Sequence, residues 1–164
     1  MTARRLTLSE WVAVGELVGT VCVLVSLLFV IYSINQNTAA LQGSTENLLF
    51  ERHTDLVNHF MEDPSLAAIL VKMRGENPQL DEIEAVRWEK YQLHLLDIWA
   101  LAFNRFQRGL LAEDEWQAWD RYFTETFRTG GEKLSRERWE ELRYGFGDGF
   151  WAHVKMALFP GDTN

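Results

Sequence analysis

The sequence predicts an all-α protein in which one N-terminal transmembrane helix extends into a helical stalk and a small helical bundle. Residues 17–34 form a run of 18 positions without a charged side chain, which is long enough for a helix to cross a bilayer. After this run the apolar residues recur at helical spacing, and no stretch alternates as a β-strand does. We therefore predict three regions: a cap and transmembrane helix in 1–34, the stalk in 35–62, and an acidic bundle in 63–164.

Interfacial aromatic residues mark the ends of the predicted span. Trp11 and Tyr32 are 21 positions apart, which corresponds to about 32 Å of helix and matches the hydrocarbon thickness of a bilayer. Just upstream, Thr7 and Glu10 have the spacing of a capping box that starts a helix. A cleaved signal peptide is the alternative, but the apolar run is long and no A-x-A cleavage site follows it. The lipid bilayer is therefore the first expected partner.

Small and polar residues share one face of this span, which we call the seam. At alternating steps of three and four, the seam contains Glu16, Gly19, Val23, Ser26, Val30, Ser33 and Asn37. Gly15 and Gly19 form a small-x-x-x-small pair, which lets two helix backbones approach closely. A second face carries only large apolar residues, as contact with lipid requires: Leu17, Val21, Leu24, Leu28 and Ile31. This asymmetry predicts that the seam packs against other transmembrane helices.

Glu16 is the most informative residue of the seam. It lies about 7–8 Å inside the level of Trp11, where an ionised carboxylate facing lipid is costly. A carboxylate this shallow can also snorkel to the interface or take up a proton. Self-association into a homo-oligomer would gather the Glu16 side chains into a ring, as in cation-conducting pores. Alternatively, the chain is an accessory or scaffold subunit whose Glu16 pairs with a basic residue of another membrane protein.

Local start and stop signals divide the rest of the chain into helices. Asp63 and Asp81 suit N-caps and Ser135 can cap the last helix. Glycines end the first three of these helices, and Pro160 ends the last. The predicted helices run from Pro64 to about Arg74, from Pro78-Asp81 to about Arg108, from Glu113 to Arg128 before Gly130-Gly131, and from Ser135 to about Leu158. Before them, Gly43-Ser44 offers a kink in the stalk.

Aromatic residues at helical spacing predict the core of the bundle. We assign to it Trp99, Phe103, Trp119, Phe123, Phe127, Trp139, Phe146 and Phe150. On the longest bundle helix, the predicted apolar face comprises Ile83, Val86, Tyr91, Leu95, Trp99, Ala102, Phe103 and Phe106. An aromatic-lined ligand groove is the alternative, but it needs convergent polar groups that the sequence does not identify.

Charge and motif content exclude several functional classes. The net charge is −8, and because residues 1–45 are neutral, the whole excess of acid lies in the later part of the chain. An acidic domain argues against a nucleic-acid partner. Cys22 is the single cysteine, and zinc-protease, P-loop, nucleophile-elbow and Glu-x-x-His patterns are absent. Asp148 and His153 offer one pair, although a structural histidine is the better interpretation. We therefore expect no catalytic site, metal or cofactor, and no enzyme.

The quoted residues resemble a widespread group of uncharacterised bacterial single-pass membrane proteins. Gly15-Glu16-Leu-Val-Gly19, followed by VLVSLLFVIYSINQNTAAL, is similar to the opening of that group, which begins with a G-E-x-x-G span. The stretch from Gly109 to Trp116, and Trp139 with Phe146, Phe150 and Val154, is similar to its C-terminal part. The resemblance implies the inner membrane of a bacterium and a helical C-terminal domain, and it carries no activity.

The side of the membrane that the bundle faces is left open. Arg4 and Arg5 precede the span and no basic residue follows it until Arg52, which places the N-terminus in the cytoplasm by the positive-inside rule. The resembling group commonly has arginine where this chain has Asn35, and that arginine favours the opposite orientation.

Overall fold

A computed structural model describes residues 7–75, 77–129 and 132–161. Its helices are α1 (Leu8–Glu62), α2 (Pro64–Met73), α3 (Glu82–Gln107), α4 (Glu113–Thr129), α5 (Arg136–Leu142) and α6 (Asp148–Leu158), with a 3₁₀ turn at Arg143–Gly145. No strand occurs in these three ranges, and a long apolar N-terminal helix precedes a bundle, so the predicted fold class is confirmed. Arg4 and Arg5, which support the orientation argument, and the predicted stop at Gly130-Gly131 lie outside the described residues.

The chain divides into two compact units, Met1–Leu41 and Gln42–Asn164. In the first unit, the backbone N–H of Thr7 donates to Glu10 Oε2 at 2.7 Å and that of Glu10 donates to Thr7 Oγ1 at 3.4 Å. The predicted capping box at the start of α1 is therefore confirmed. Every side chain from Trp11 to Leu41 is exposed, and this helix is long and apolar enough to cross a membrane.

The last third of α1 belongs to the second unit. The helix continues through Gly43-Ser44, so the structure shows no interruption there. Leu49 is completely buried in the core of the bundle, and Thr45 is also buried. The side chain of Gln42 donates to the carbonyl oxygen of Gly109 at 3.2 Å. Residues 42–62 of the predicted stalk are therefore part of the bundle.

The predicted caps position α2 and α3. The N–H of Ser65 donates to Asp63 Oδ1 at 2.9 Å, with Pro64 in the first turn of α2. A complete capping box starts α3, because the N–H of Glu84 donates to Asp81 Oδ1 at 2.8 Å and the N–H of Asp81 donates back to Glu84 Oε2 at 3.1 Å. Gly109 follows the end of α3 with φ of +70°, a conformation that favours glycine.

Trp99 organises the core of the second unit. It is completely buried on α3, and its ring stacks against Phe123 and Phe127 of α4, with centroids 5.8 and 6.0 Å away. Phe150 of α6 meets the same ring edge-on at 5.6 Å. The predicted aromatic core is confirmed: five of its members are buried and the other three pack against them, the five being Trp99, Phe123, Phe127, Trp139 and Phe150.

The predicted apolar face of α3 is wrong at two positions, which the structure shows to be exposed. Ile83 is 69% exposed and Val86 is 52% exposed. Trp88, Leu96 and Ile98 are buried instead. At about 100° per residue, Ile83 and Val86 lie on the side of α3 away from Trp99. The two residues are spaced as neighbours on one face of a helix, but that face is not the one that carries Trp99.

The predicted final helix is interrupted. α5 ends at Leu142, and α6 begins only after Gly147, which has an extended conformation with ψ of 149°. The hydroxyl of Ser135 accepts from the N–H of Arg138 at 3.1 Å, so the predicted cap of the first piece is confirmed. The break brings the ring of Phe146 within 5.7 Å of Trp139 and 5.4 Å of Phe150. One uninterrupted helix was therefore the wrong prediction.

Candidate functional site

The seam lies on α1 within the first unit, and all of its side chains are exposed. A Cβ atom added at Gly15 or Gly19 would meet no other atom within 4 Å. No contact in the described chain therefore explains why these two positions lack a side chain. Trp11 and Tyr32, the predicted interfacial anchors, are also exposed, and the hydroxyl of Tyr32 accepts from the side chain of Gln36 at 2.8 Å.

The polar side chains near the seam differ in whether they form a hydrogen bond within their own helix. The hydroxyl of Ser26 donates to the carbonyl oxygen of Cys22 at 2.8 Å, and that of Thr20 donates to the carbonyl oxygen of Glu16 at 2.9 Å. Such hydroxyls need no outside partner, even in lipid. In contrast, the carboxylate of Glu16 has no hydrogen bond or ion pair within residues 7–75, 77–129 and 132–161. Glu16 is the charged residue of the seam, so it is the seam residue that would be most costly to expose to lipid.

A second polar arrangement is half-buried and lies against the aromatic core. Trp99 Nε1 donates to Asp120 Oδ1 at 2.9 Å, and His153 Nε2 lies 2.6 Å from the same oxygen. Because an ionised carboxylate only accepts, we assign the hydrogen of that bond to His153 Nε2. One carboxylate oxygen therefore joins α3, α4 and α6.

The surroundings of His153 indicate a structural role for this pair. Its ring packs against Trp99, Phe103 and Trp116, with centroids 5.3–5.8 Å away. A carboxylate–imidazole pair becomes catalytic when the imidazole also contacts a nucleophile. In the described part of the chain, the contacts of His153 are these rings and Asp120. The arrangement joins α3, α4 and α6 at the aromatic core.

A third polar contact joins the end of α1 to α4. His53 Nε2 and the hydroxyl of Tyr122 are 2.9 Å apart, and the histidine ring lies edge-on to both Trp119 and Tyr122. Burial lowers the pKa of His53, so the ring is neutral in this position near neutral pH. Within the second unit, this contact joins the last turns of α1 to α4 with an uncharged hydrogen bond.

Sequence reasoning identified the aromatic core but missed Asp120. It considered Asp148 as the partner of His153, and the structure gives Asp120 instead. One signal was present: Asp120 follows Trp116 by four positions and precedes Phe123 by three, so a carboxylate interrupts an aromatic stripe on one helix face. A half-buried acid in such a stripe needs donors, and Trp99 and His153 supply them.

Metal ligands and known relatives add no further candidate. Within the part of the chain that the structure describes, no three or more His, Cys, Asp or Glu side chains are grouped to hold a metal ion. The chain matches no protein-family model, no curated protein and no solved structure. The seam is therefore the site on which we base a function.

Proposed function

We propose that this chain is a single-pass membrane protein, anchored in the inner membrane of a bacterium by α1 between Trp11 and Tyr32, that self-assembles into a homo-oligomer through the seam. The observation that carries the proposal is the carboxylate of Glu16, which is exposed on an apolar helix and has no partner within the described chain. The exposed Gly15 and Gly19 give the same helix a surface for close backbone approach.

Association through the seam lowers the free-energy cost of placing the Glu16 carboxylate in the membrane. An acidic residue at the centre of a membrane helix costs about 2.5–3.5 kcal/mol on insertion scales, and less near the interface. Packing seam against seam removes Glu16 from lipid and places it beside copies of itself. Neighbouring carboxylates can then share protons, or hold water and cations between them. The large apolar face, from Leu17 to Ile31, remains in contact with lipid.

The mass of the detergent-solubilised protein tests self-assembly. We expect the wild type to be a homo-oligomer, and we expect Gly19→Leu and Glu16→Leu to shift it towards the monomer. Gly19→Leu blocks close approach of the backbones, and Glu16→Leu removes the group that disfavours an isolated helix. Val21→Leu, which enlarges a residue on the lipid-facing side, is the matched control and should keep the wild-type mass.

Two outcomes would contradict this function. If both seam variants keep the wild-type mass, the seam is not the assembly surface. If gentle extraction instead yields a stable complex with a different membrane protein, the chain is an accessory or scaffold subunit whose Glu16 pairs with a basic residue of that partner. A native mass that is a multiple of 19.1 kDa, after correction for detergent, supports the homo-oligomer.

More specifically, we propose that the homo-oligomer forms a cation pore. Copies arranged about a common axis gather their Glu16 side chains into an acidic ring, which attracts cations. We expect purified protein in liposomes to conduct potassium ions. Glu16→Gln should reduce this flux strongly, whereas Glu16→Asp, which keeps the carboxylate, should retain most of it. Liposomes that stay impermeable with the wild-type protein would rule out the pore, while the mass measurement would still decide self-assembly.

A further inference from the structure

An open groove lies within the second unit, between the last turns of α1, the start of α2 and the first half of α3. Its volume is about 510 Å³, which falls in the range of small-molecule sites, about 300–1,000 Å³. Ile83 and Val86 were assigned to the core from the sequence, and Val86 instead lines this groove. The groove is separate from the seam and from the Asp120–His153 pair.

The floor of the groove is apolar. Leu56 of α1, Leu66 of α2 and Val86 of α3 line it, together with the ring of Tyr91. Burial and the nearby carboxylate of Glu132 raise the pKa of Tyr91, so its hydroxyl stays protonated and interacts with Glu132. An apolar chain on this floor would cover the exposed side chain of Val86.

The charged groups around the floor are of two kinds. Arg87 is engaged within the protein, because it lies 3.6 Å from Asp63 Oδ2 and donates to the hydroxyl of Ser65. The hydrogen bonds from Ser65, together with the charge of Arg87, hold the pKa of Asp63 below its ordinary value, so this pair is neutral overall. Lys90 has no ion pair within the described ranges.

Further groups that can carry positive charge lie near Lys90. His94 follows it by four positions, which places both on one face of α3. His59 lines the groove from α1, and the carboxylates in this neighbourhood are those of Asp55 and Asp63, which also line the groove, and of Asp97, which interacts with His94. With Arg87 and Asp63 paired, an ammonium without an ion pair and two imidazoles lie around one apolar floor beside the carboxylate of Asp55.

We propose that this groove binds an amphiphilic organic anion, a carboxylate with one short apolar chain. The carboxylate would lie against Lys90 and His94 on α3, and the chain would lie on Leu56, Leu66 and Val86. Charge complementarity selects the head group, because the ammonium of Lys90 has no ion pair within the described ranges. The apolar floor selects the chain, because a bare inorganic anion leaves it exposed to water.

Calorimetric titration of the full-length protein with sodium octanoate tests this assignment. The protein is held in phosphatidylcholine nanodiscs, and empty nanodiscs correct for partition into lipid. We expect saturable binding at one site per chain, weakened at least tenfold by Lys90→Glu. Lys133→Glu makes the same change of charge at an exposed position outside the groove, and it should change the affinity less than twofold. Asp55→Asn should strengthen binding, because it removes the opposing carboxylate.

Each other outcome would overturn the proposal. Absence of saturable binding, or equal weakening by Lys90→Glu and Lys133→Glu, would show that the groove does not bind this anion. If 1-octanol binds as tightly as octanoate, the cations play no part. If inorganic phosphate binds as tightly, the apolar floor plays no part. If Asp55→Asn weakens binding, the occupant carries a positive charge as well, which also contradicts an anion.

Discussion

Replacing Trp99 by alanine is expected to lower the free energy of unfolding of the bundle by about 3–5 kcal/mol, as for other buried aromatic truncations. Trp99 is completely buried, and its ring contacts Phe123, Phe127 and Phe150. Truncation leaves a cavity where α4 and α6 pack against α3. It also removes the donor at 2.9 Å from Asp120. Urea unfolding of the full-length protein, followed by far-ultraviolet circular dichroism, measures the loss.

Two companion variants make this result decisive. Tyr144 is 97% exposed, and Tyr144→Ala should stay within about 0.5 kcal/mol of the wild type. Trp99→Phe keeps an aromatic ring against Phe123 and loses only the indole donor and some volume, so it should cost less than Trp99→Ala and remain folded. If Trp99→Ala costs no more than Tyr144→Ala, the bundle is not organised around Trp99.

Replacing Asp120 by alanine is expected to cost about 1.5–3 kcal/mol, the range for hydrogen bonds to a charged group. The variant removes the acceptor of Trp99 Nε1 and of His153 Nε2, which lie 2.9 and 2.6 Å from the same oxygen. Trp99 is completely buried and the Asp120 side chain is only 27% exposed, so the variant leaves the indole N–H without its acceptor in a partly dry position. The same urea titration at fixed pH reports the difference.

Two controls separate this hydrogen bonding from a change of charge or helix propensity. Glu125 is exposed on the same helix, and Glu125→Ala makes the same change of charge with an expected effect within about 0.5 kcal/mol. Asp120→Asn keeps an oxygen that can accept from Trp99, so it should retain part of the stability that Asp120→Ala loses. Equal losses for Asp120→Ala and Glu125→Ala would show that the two hydrogen bonds contribute nothing.

Local signals were sufficient to predict most of the helices. Each of these signals involves residues only a few positions apart, so it can be read from a short stretch of sequence. They are the caps at Asp63 and Asp81 and the glycine at Gly109. The break between α5 and α6 was missed because the apolar residues on either side keep a common helical phase. In the structure, packing of Phe146 between Trp139 and Phe150 accompanies the change of direction.

The arrangement of the core and of the groove depends on contacts between distant residues. Trp99 and Asp120 are 21 positions apart, and Asp120 and His153 are 33 apart, so helix packing decides whether they meet. Helical spacing alone assigned Val86 to the core because α3 has two partly apolar faces. One of them lines the groove, and the sequence does not indicate which face another helix covers. The seam was predicted from spacing and stays a prediction.

The positions along the chain of the helices that contact α3 suggest the order in which the bundle folds. α3 packs against α2 and α4, its neighbours along the chain, and also against α6. Contacts between adjacent helices close short loops and form early, whereas the contact with α6 must wait for the longer loop through α5. We therefore expect α3 and α4 to collapse first around Trp99, with α2 against the start of α3 and the side that α6 covers still open. Phe150 then completes the core, so α6 acts as the closing step of folding.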